Sequence, residues 1–487
     1  MAEPSAVGAR DLLRPAAGLL AVALAATPVL AGAPGAGLVI SGGLLLVLLC
    51  ALFPLAAVAV FVAVNPLLAG VERGTVVPLV RLNEALLLGL AAGVALWALL
   101  RWLRSDRGLP RPRHALDVLV PVVAVTGSVT PLLWMYARGR DISADDVLYA
   151  ATLWKLALVY AVVRLVVRDA RAAWWLLVAA VAGAAAVGSV GLLQVVGVGP
   201  VIDFLTVLTP PEADGYSIDG SRATSTLGNP IAFGDVMIYA ALAAAALALR
   251  GREHRAVLTA AAAFLLLCGL ASGQFSVLLG VVVAAAAFTV ATRTLSRAVL
   301  VATGVGIVAL PLLQPVVEAR LGNTDPRSGL PVSWTGRYGR LENLQTYFWP
   351  DIGADWNWLL GVRPAARVPG AEWWRDWVYI ESGYTWLVWS GGLPLLLATL
   401  ALVAVAATTG RRLWTAPEPV AAAVGVSVFA ASVALTVLMV FDPHLTLRGG
   451  AELLFVLLAL AAALDRRRAA PPPEPPLIAA PAERVGP

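Results

Sequence analysis

The sequence predicts an all-α polytopic integral membrane protein with about 12–14 transmembrane helices and one large extracytoplasmic loop. Hydrophobic residues make up 60% of its 487 residues and charged residues only 13%, whereas soluble domains average about 45–50% apolar and about 25% charged residues. Apolar runs of 16 to 25 residues recur along the chain, and each can cross a hydrocarbon core of roughly 30 Å. Because lipid admits only structures that satisfy their own backbone, these runs predict helices.

The apolar runs divide the chain into one transmembrane domain and a tail. Residues 1–468 form the domain, which includes a polar loop at 318–377, and the seven prolines of 469–487 predict a disordered cytoplasmic tail. Pro54 and Asn65-Pro66 interrupt the second and third runs, which are therefore two spans, a tight hairpin or a re-entrant element. The predicted spans are 15–32, 36–51, 52–70, 81–101, 115–137, 146–167, 173–194, 230–249, 256–271, 274–291, 298–317, 379–407, 418–440 and 447–464.

The arginines predict the orientation of the chain. With these spans, 21 arginines fall on one side of the membrane and 13 on the other. Basic loops are retained in the cytoplasm, so both termini are predicted to be cytoplasmic and the loop 318–377 extracytoplasmic. The same basic loops account for the net charge of +5 better than nucleic-acid binding does. Cys50 and Cys268 lie in apolar runs, so neither a disulfide framework nor a metal site is expected.

The loop 318–377 holds the richest chemistry of the chain, with seven arginines and seven of the 16 tryptophans. The helical spacing of Leu341, Leu344 and Phe348 predicts a helix that ends at a proline. Arg337 and Arg340 would share one face of it. Such a helix either lies on the membrane with its arginines toward phosphate headgroups or binds a lipid-linked pyrophosphate. The tryptophans are more often interface anchors than sugar-stacking platforms.

Two further segments carry candidate binding groups. Asn229 and Pro230 predict the capped start of a helix, and its positive end together with Arg222 can hold phosphate oxygens. An ordinary capped helix explains the same residues equally well. Glu381 opens the next span after the loop, where a carboxylate can serve as a general base toward a sugar hydroxyl.

Ionisable residues inside the spans suggest a different activity. Lys155 is predicted about 13 Å deep, at 1.5 Å per residue, with Asp235 or Glu84 as its partner. An intramembrane lysine is either functional or part of a structural ion pair. His444 is the lone histidine of an outward turn, and such a residue is expected to be exposed and inert.

The order and spacing of these segments resemble the O-antigen ligase/polymerase superfamily over roughly residues 180–410. Residues 222–230 are similar to its Arg-Thr-Gly-…-Gly-Asn-Pro stretch, 335–337 to its Ser/Gly-Gly-Arg, and 358–363 to its Pro-Leu-Leu-Gly-x-Gly. In ligases the loop ends with His-Asn-x-Tyr-Leu and a later glycine. Glu381, Ser382, Tyr384 and Gly392 take the His, Asn, Tyr and Gly positions. A Ser-Arg pair common in the family reads Ser272-Gly273-Gln274 here, so no arginine carries over at that point.

The resemblance implies a metal-independent inverting glycosyltransferase of the bacterial cytoplasmic membrane that uses no cofactor. Its donor would be a polyprenyl-pyrophosphate-linked glycan and its acceptor a glycan or lipid. Membrane lipids and polysaccharide-assembly proteins would be its partners, and nucleic acid would not. The acidic residue in the His position favours a polymerase over a ligase. The expected catalytic residues are Glu381, Arg337 and Arg340, and the expected substrate-binding residues are Arg222, Asn229, Arg363 and Tyr384.

Two other functions stay open on the residues alone. A transporter or flippase of a lipid-linked or anionic solute would use Lys155, Asp235 and Glu84 as a site at the midplane. A non-catalytic scaffold of a cell-envelope assembly would need none of these groups. Function should depend on Arg337 in the glycosyltransferase and on Lys155 in the transporter.

Overall fold

The computed structural model describes residues 34–74, 80–104, 114–209, 222–251, 254–322, 324–325, 331–335, 338–371 and 376–469. The predicted first span at 15–32 lies outside these residues, as does the predicted disordered tail beyond Ala469. The described chain is helical except for one two-stranded sheet.

The described helices fit an all-α polytopic membrane protein. Eight of them are long and apolar enough to cross a membrane, and a ninth span results if one bent pair is counted as a unit. This number is below the predicted 12–14, partly because three apolar helices are shorter than a span and because the predicted first span lies outside the described residues. The eight are Leu82–Leu103, Leu116–Ala137, Ala144–Val166, Ala170–Val195, Pro230–Arg250, Phe275–Thr292, Gly383–Leu413 and Pro419–Leu438.

The described helices are numbered here in chain order. In chain order they are α1 (Pro34–Leu52), α2 (Pro54–Leu68), α3 (Leu82–Arg104), α4 (Leu116–Thr126), α5 (Val129–Ala137), α6 (Ala144–Val166), α7 (Ala170–Val195), α8 (Gly199–Leu208), α9 (Pro230–Arg250), α10 (Arg255–Ala271), α11 (Phe275–Thr292), α12 (Leu295–Leu312), α13 (Gln314–Gly322), α14 (Val332–Thr335), α15 (Arg340–Asn343), α16 (Trp349–Gly353), α17 (Asn357–Leu360), α18 (Gly383–Leu413), α19 (Pro419–Leu438) and α20 (Gly450–Ala469).

Helices α1 and α2 form the bent pair. They meet at an angle of 119°, which agrees with the hairpin or re-entrant alternative rather than with two separate spans. Pro54 starts the second helix, and its missing N–H breaks the ladder there. Asn83 donates a hydrogen bond of 3.1 Å to Asn65, both buried, and so ties the second helix to the start of α3.

Helix α9 forms the centre of the bundle, and 94% of its apolar stretch is buried. Asn229 caps it and Pro230 is its first residue, which confirms the predicted start. Alanine fills most of its second half, and small residues let helix backbones approach closely in membranes. Helix α9 packs against α7, α10, α11 and α19. The helix that follows Arg222 in sequence is therefore the one on which these four helices pack.

The loop 318–377 docks on a break in α18. Gly392 lies in that helix with φ 64°, and a Cβ atom there would be 2.1 Å from the carbonyl oxygen of Leu359. Val362 donates a backbone hydrogen bond of 2.6 Å to Trp389. Glycine is needed because both the close approach and the positive φ exclude a side chain.

The described part of the loop differs from the predicted single helix. The helix begins only at Arg340, because Tyr338 takes φ 65° before it, and it continues as a π-helical turn, Leu344–Phe348. Arg337 lies outside the described residues. Two short antiparallel strands, β1 (Arg367–Pro369) and β2 (Trp377–Tyr379), close the loop with Val368 opposite Val378.

Candidate functional site

A cavity of about 550 Å³ opens at the end of the bundle where the loop lies. Helix α6 lines it with residues at helical spacing, from Asp145 in its first turn to Lys155. At a rise of 1.5 Å per residue these ten steps correspond to a depth of about 15 Å. The cavity therefore reaches from the helix ends well into the bundle.

The cavity is lined by charged side chains of both signs in equal number among the described residues. The basic ones are Arg73, Arg81, Lys155, Arg367 and Arg448. The acidic ones are Glu72, Glu84, Asp145, Glu381 and Asp442. Such a lining suits a ligand that carries both hydroxyls and anionic groups, because phosphate oxygens can replace carboxylates around a guanidinium.

Glu381 and Arg340 meet at the margin of this cavity. Arg340 Nε lies 3.6 Å from Glu381 Oε2, and the Glu381 side chain is about one third exposed (36%). Ser382 caps the helix that follows, with its side chain accepting from the N–H of Thr385. The structure thus brings together two of the three residues expected to be catalytic, although they are far apart in sequence.

Arg340 is itself held by the segment that follows α19. It donates to the carbonyl of Phe441 at 3.0 Å and to the carboxylate of Asp442 at 3.2 Å. Its guanidinium also lies over the ring of Trp334, 5.6 Å from the centroid, and that ring stacks on Phe441. Arg340 is therefore fixed in direction before any substrate is present.

Asn229 lies on the cavity wall, as expected of a substrate-binding residue. Its Oδ1 accepts hydrogen bonds from the N–H groups of Ile231 and Ala232 at 2.8 and 3.1 Å. The side-chain oxygen is therefore occupied by the helix cap. The amide nitrogen is the group of this residue that can donate to a ligand.

Arg363 is placed away from the cavity lining, in an ion pair. Its guanidinium donates to Asp146 at 2.7 Å and to Ser143 at 2.9 Å, and Asp146 is fully buried. Asp146 and Ser143 form the capping box of α6. This arrangement favours a structural role for Arg363, which clamps the loop to the start of that helix, over the expected contact with phosphate.

Two other expected site residues, Arg222 and Tyr384, are not among the described residues that line the cavity. Arg222 is half-buried beside Ala223, which donates its N–H to Ala271, and it is not among the described lining residues. Tyr384 donates its hydroxyl to the carbonyl of Thr436 at 2.7 Å and so binds α19 instead. Arg337 lies outside the described residues.

Lys155 forms its close ion pair with neither expected partner, although its charge acts on Glu84. Its ammonium group lies 2.7 Å from Glu452 at the start of α20, whereas Glu84 pairs with Arg73 at 3.0 Å. Glu452 also accepts the N–H of Gly449 at 2.6 Å. Glu452 was missed because a carboxylate in the first turn of a helix is explained by the helix dipole alone.

The prediction that His444 is exposed was also wrong. The residue is 1% exposed, and its Nδ1 lies 2.7 Å from the carboxylate of Asp235. Burial acts against the charged ring, but Asp235 and Asp442 together raise the pKa of His444 above its ordinary value. The available sequence signal was Asp235, since a carboxylate inside an apolar helix needs a partner.

Arg73, Arg81, Arg367 and Arg448 were not singled out from the sequence. Arg367 donates to Asp145 at 2.7 Å, and its guanidinium lies 4.2 Å from the centroid of Trp377. The other three lie in short connections next to helix ends. A basic residue in such a place usually reads as an interfacial anchor, so only the folded chain shows that these four share one cavity.

Comparison with known proteins gives no further indication of identity. No family model matches this chain, and the search of curated proteins finds no match. Among the described residues, no group of three or more His, Cys, Asp or Glu side chains is arranged to hold a metal ion.

Proposed function

We propose that the protein is a glycosyltransferase that polymerises or ligates polyprenyl-pyrophosphate-linked oligosaccharides on the outer face of the bacterial cytoplasmic membrane. The observation that supports this most is the position of Glu381, a partly exposed carboxylate beside Arg340 on a deep, charged cavity. A general base must be reachable by the hydroxyl whose proton it takes, and Glu381 meets that requirement.

The proposed reaction is a direct displacement. Glu381 takes the proton of an acceptor hydroxyl while the hydroxyl oxygen forms a bond to the anomeric carbon of the donor. The bond from that carbon to the pyrophosphate oxygen breaks, and polyprenyl pyrophosphate leaves with the electron pair. Attack from the side opposite the leaving group inverts the anomeric centre.

The basic side chains of the cavity would stabilise the leaving pyrophosphate. Charge develops on its oxygens in the transition state, and preorganised cations aimed at that charge lower the barrier. Arg340 lies 3.6 Å from Glu381, and Arg367 and Arg448 line the cavity. Arg337 remains a proposed contributor through the family resemblance alone.

The test is reconstitution in lipid vesicles with a lipid-linked oligosaccharide and an acceptor. The wild-type protein should lengthen or transfer the glycan, and Glu381→Gln should abolish this without loss of the folded protein. Glu342→Gln is the matched control, because Glu342 lies in the same loop but accepts only the N–H of Tyr338 among its described bonds. Full activity of Glu381→Gln would reject the proposal.

The lipid-linked glycan pool of a deletion strain would separate the two proposed activities. Accumulated single repeat units would indicate a polymerase, because units are made but not joined. Accumulated long chains would indicate a ligase, because chains are finished but not attached.

A transporter or flippase of an anionic or lipid-linked solute is the second candidate. The observation in its favour is Lys155, which lines the deep end of the cavity and is paired with a carboxylate. A mobile ion pair inside a membrane protein is a common element of a solute pathway. Loss of solute flux on substitution of Lys155, with glycan transfer absent from the wild type, would favour this function.

A further inference from the structure

A buried ion pair lies just behind the cavity wall, between His444 and Asp235. Nδ1 of His444 donates to the two carboxylate oxygens at 2.7 and 3.0 Å, and both side chains have no exposed surface. Neither residue is among the described lining residues of the cavity. The pair has no direct part in the proposed reaction, yet breaking a buried pair is strongly unfavourable.

The pair joins the central helix to the connection between α19 and α20. Asp235 belongs to α9, the most buried helix, and Gly450 packs so tightly on it that a Cβ there would be 2.5 Å from the Asp235 Cβ. His444 Nε2 is buried and makes no hydrogen bond within the described chain. The imidazole ring is thus anchored through Nδ1 and Asp235 alone.

This connection also holds Arg340. The N–H of His444 donates to the carbonyl of Asp442 at 2.8 Å, and the Asp442 carboxylate accepts from Arg340, which faces Glu381. A chain of contacts therefore runs from Asp235 through His444, Asp442 and Arg340 to the candidate base. Each link is a hydrogen bond or an ion pair between named atoms.

We propose that His444 is a positioning residue: its buried pair with Asp235 fixes the connection that holds Arg340 against Glu381. The role of Glu381 as the base rests on the proposed function, but the geometric part of the inference does not. If the pair is lost, Asp442 is no longer held in place, and Arg340 should leave Glu381.

The charges around the ring favour its protonated form. The charged groups that face His444 are Asp235 on the central helix, Asp442 on its own connection, and Arg340 on the loop. Burial and Arg340 disfavour the imidazolium, while the two carboxylates favour it, and the result is that the pKa of His444 is raised. The anchor therefore weakens as the ring loses its proton, at a pH above the ordinary range of a histidine.

The test probes the local charge at position 381 and does not depend on enzyme activity. Glu381→Cys is made in the full-length protein in nanodiscs and modified with a negatively charged and a positively charged methanethiosulfonate of similar size. The native cysteines Cys50 and Cys268 are buried, so they should react slowly. A cation about 4 Å away in water is worth about 1 kcal/mol, which speeds the negative reagent and slows the positive one about fivefold each, so the preference for the negative reagent should approach about thirtyfold.

Variants of the pair are then added to Glu381→Cys. His444→Gln and Asp235→Asn should each reduce this preference to near one, and the double variant should restore it, because two neutral amides can hydrogen-bond to each other. His114→Gln is the matched control, since His114 pairs with Asp465 at the other end of α20 and should leave the preference unchanged. An unchanged preference in His444→Gln would overturn the proposal.

If His444→Gln and Asp235→Asn do not fold, the Glu381→Cys protein with the native pair and the folded double variant still test the role of His444. The reagent preference of Glu381→Cys alone should fall as the pH rises through the pKa of His444, and this fall should be absent in the folded double variant. A preference that does not change with pH, or a folded double variant without preference, would overturn the inference.

An activity measurement separates this inference from the proposed function. His444→Gln should lower kcat for glycan transfer at least tenfold and leave KM for the donor nearly unchanged, because Arg340 leaves the candidate base while the cavity remains. If the wild type transfers no glycan, the proposed function is rejected, but the reagent preference still decides the role of His444.

Discussion

Arg340 and Glu381 face each other at the cavity margin, with Nε 3.6 Å from Oε2. Arg340 begins a short helix of the loop, and Glu381 lies just before α18, the helix that is broken at Gly392. The contact means that the loop and the transmembrane bundle build the candidate site together. The following substitutions test the separate parts of this arrangement.

Glu381→Gln should lower the rate of glycan transfer by about 10²- to 10⁴-fold, the range in which a general base contributes. The amide keeps the size of the side chain but cannot take the acceptor proton. The measurement is product formation per folded protein in vesicles. Glu342→Gln should retain the wild-type rate, and equal losses in both variants would point to general damage of the loop.

Arg363→Gln should destabilise the protein, because it leaves the fully buried Asp146 without its cation. Removal of one partner of a buried pair costs about 3–5 kcal/mol, and we expect about 3 kcal/mol because Arg363 is partly exposed. Thermal unfolding in detergent measures the change. Addition of Asp146→Asn should recover part of the loss. A variant of normal stability that transfers no glycan would instead identify Arg363 as a substrate contact.

Lys155→Met combined with Glu452→Gln should separate the two candidate functions. The double substitution removes the ion pair without leaving a buried charge alone. For a glycosyltransferase we expect polymer formation to persist, within about tenfold of wild type, since the base remains; a tenfold change is about 1.4 kcal/mol of barrier. For a transporter, solute flux should disappear in this variant and persist in Glu381→Gln.

The His444–Asp235 pair should make stability depend on pH. The pKa of His444 is raised in the folded protein above its ordinary value of 6.5. Protonation thus favours the folded state: the stabilisation is complete below pH 6.5 and is lost as the pH rises through the folded pKa. The melting temperature of the wild type should fall over that range, and that of the double variant His444→Gln/Asp235→Asn should not.

Gly392→Ala should destabilise the docking of the loop on α18. The residue has φ 64°, and the added Cβ would be 2.1 Å from the carbonyl oxygen of Leu359. A non-glycine residue in a strained conformation costs about 1–3 kcal/mol, and the clash adds to this. Gly306→Ala is the control, because no atom lies within 4 Å of a Cβ there. Equal melting temperatures of the two variants would contradict this explanation of the break.

Local sequence determined the features that depend on neighbouring residues. The apolar runs predicted a helical membrane protein because lipid requires the backbone to bond to itself. Asn229 and Pro230 predicted the start of α9, since capping is decided within a few residues. Pro54 predicted an interruption, which appears as the 119° bend. The helix expected to contain Arg337 and Arg340 was predicted too long, because the positive φ of Tyr338 leaves no mark in the apolar spacing.

Tertiary structure decided which charged side chains meet. From the sequence Lys155, Asp235 and Glu84 formed one group, but the folded chain pairs them with Glu452, His444 and Arg73. Each of these partners comes from a different connection or helix end, and a residue pattern carries no information about which connection crosses which helix. Helical periodicity is a local property, so it determined the spans. Charge pairing in a buried site depends on distances across the whole bundle, so only the packed helices determined the cavity and the pair behind it.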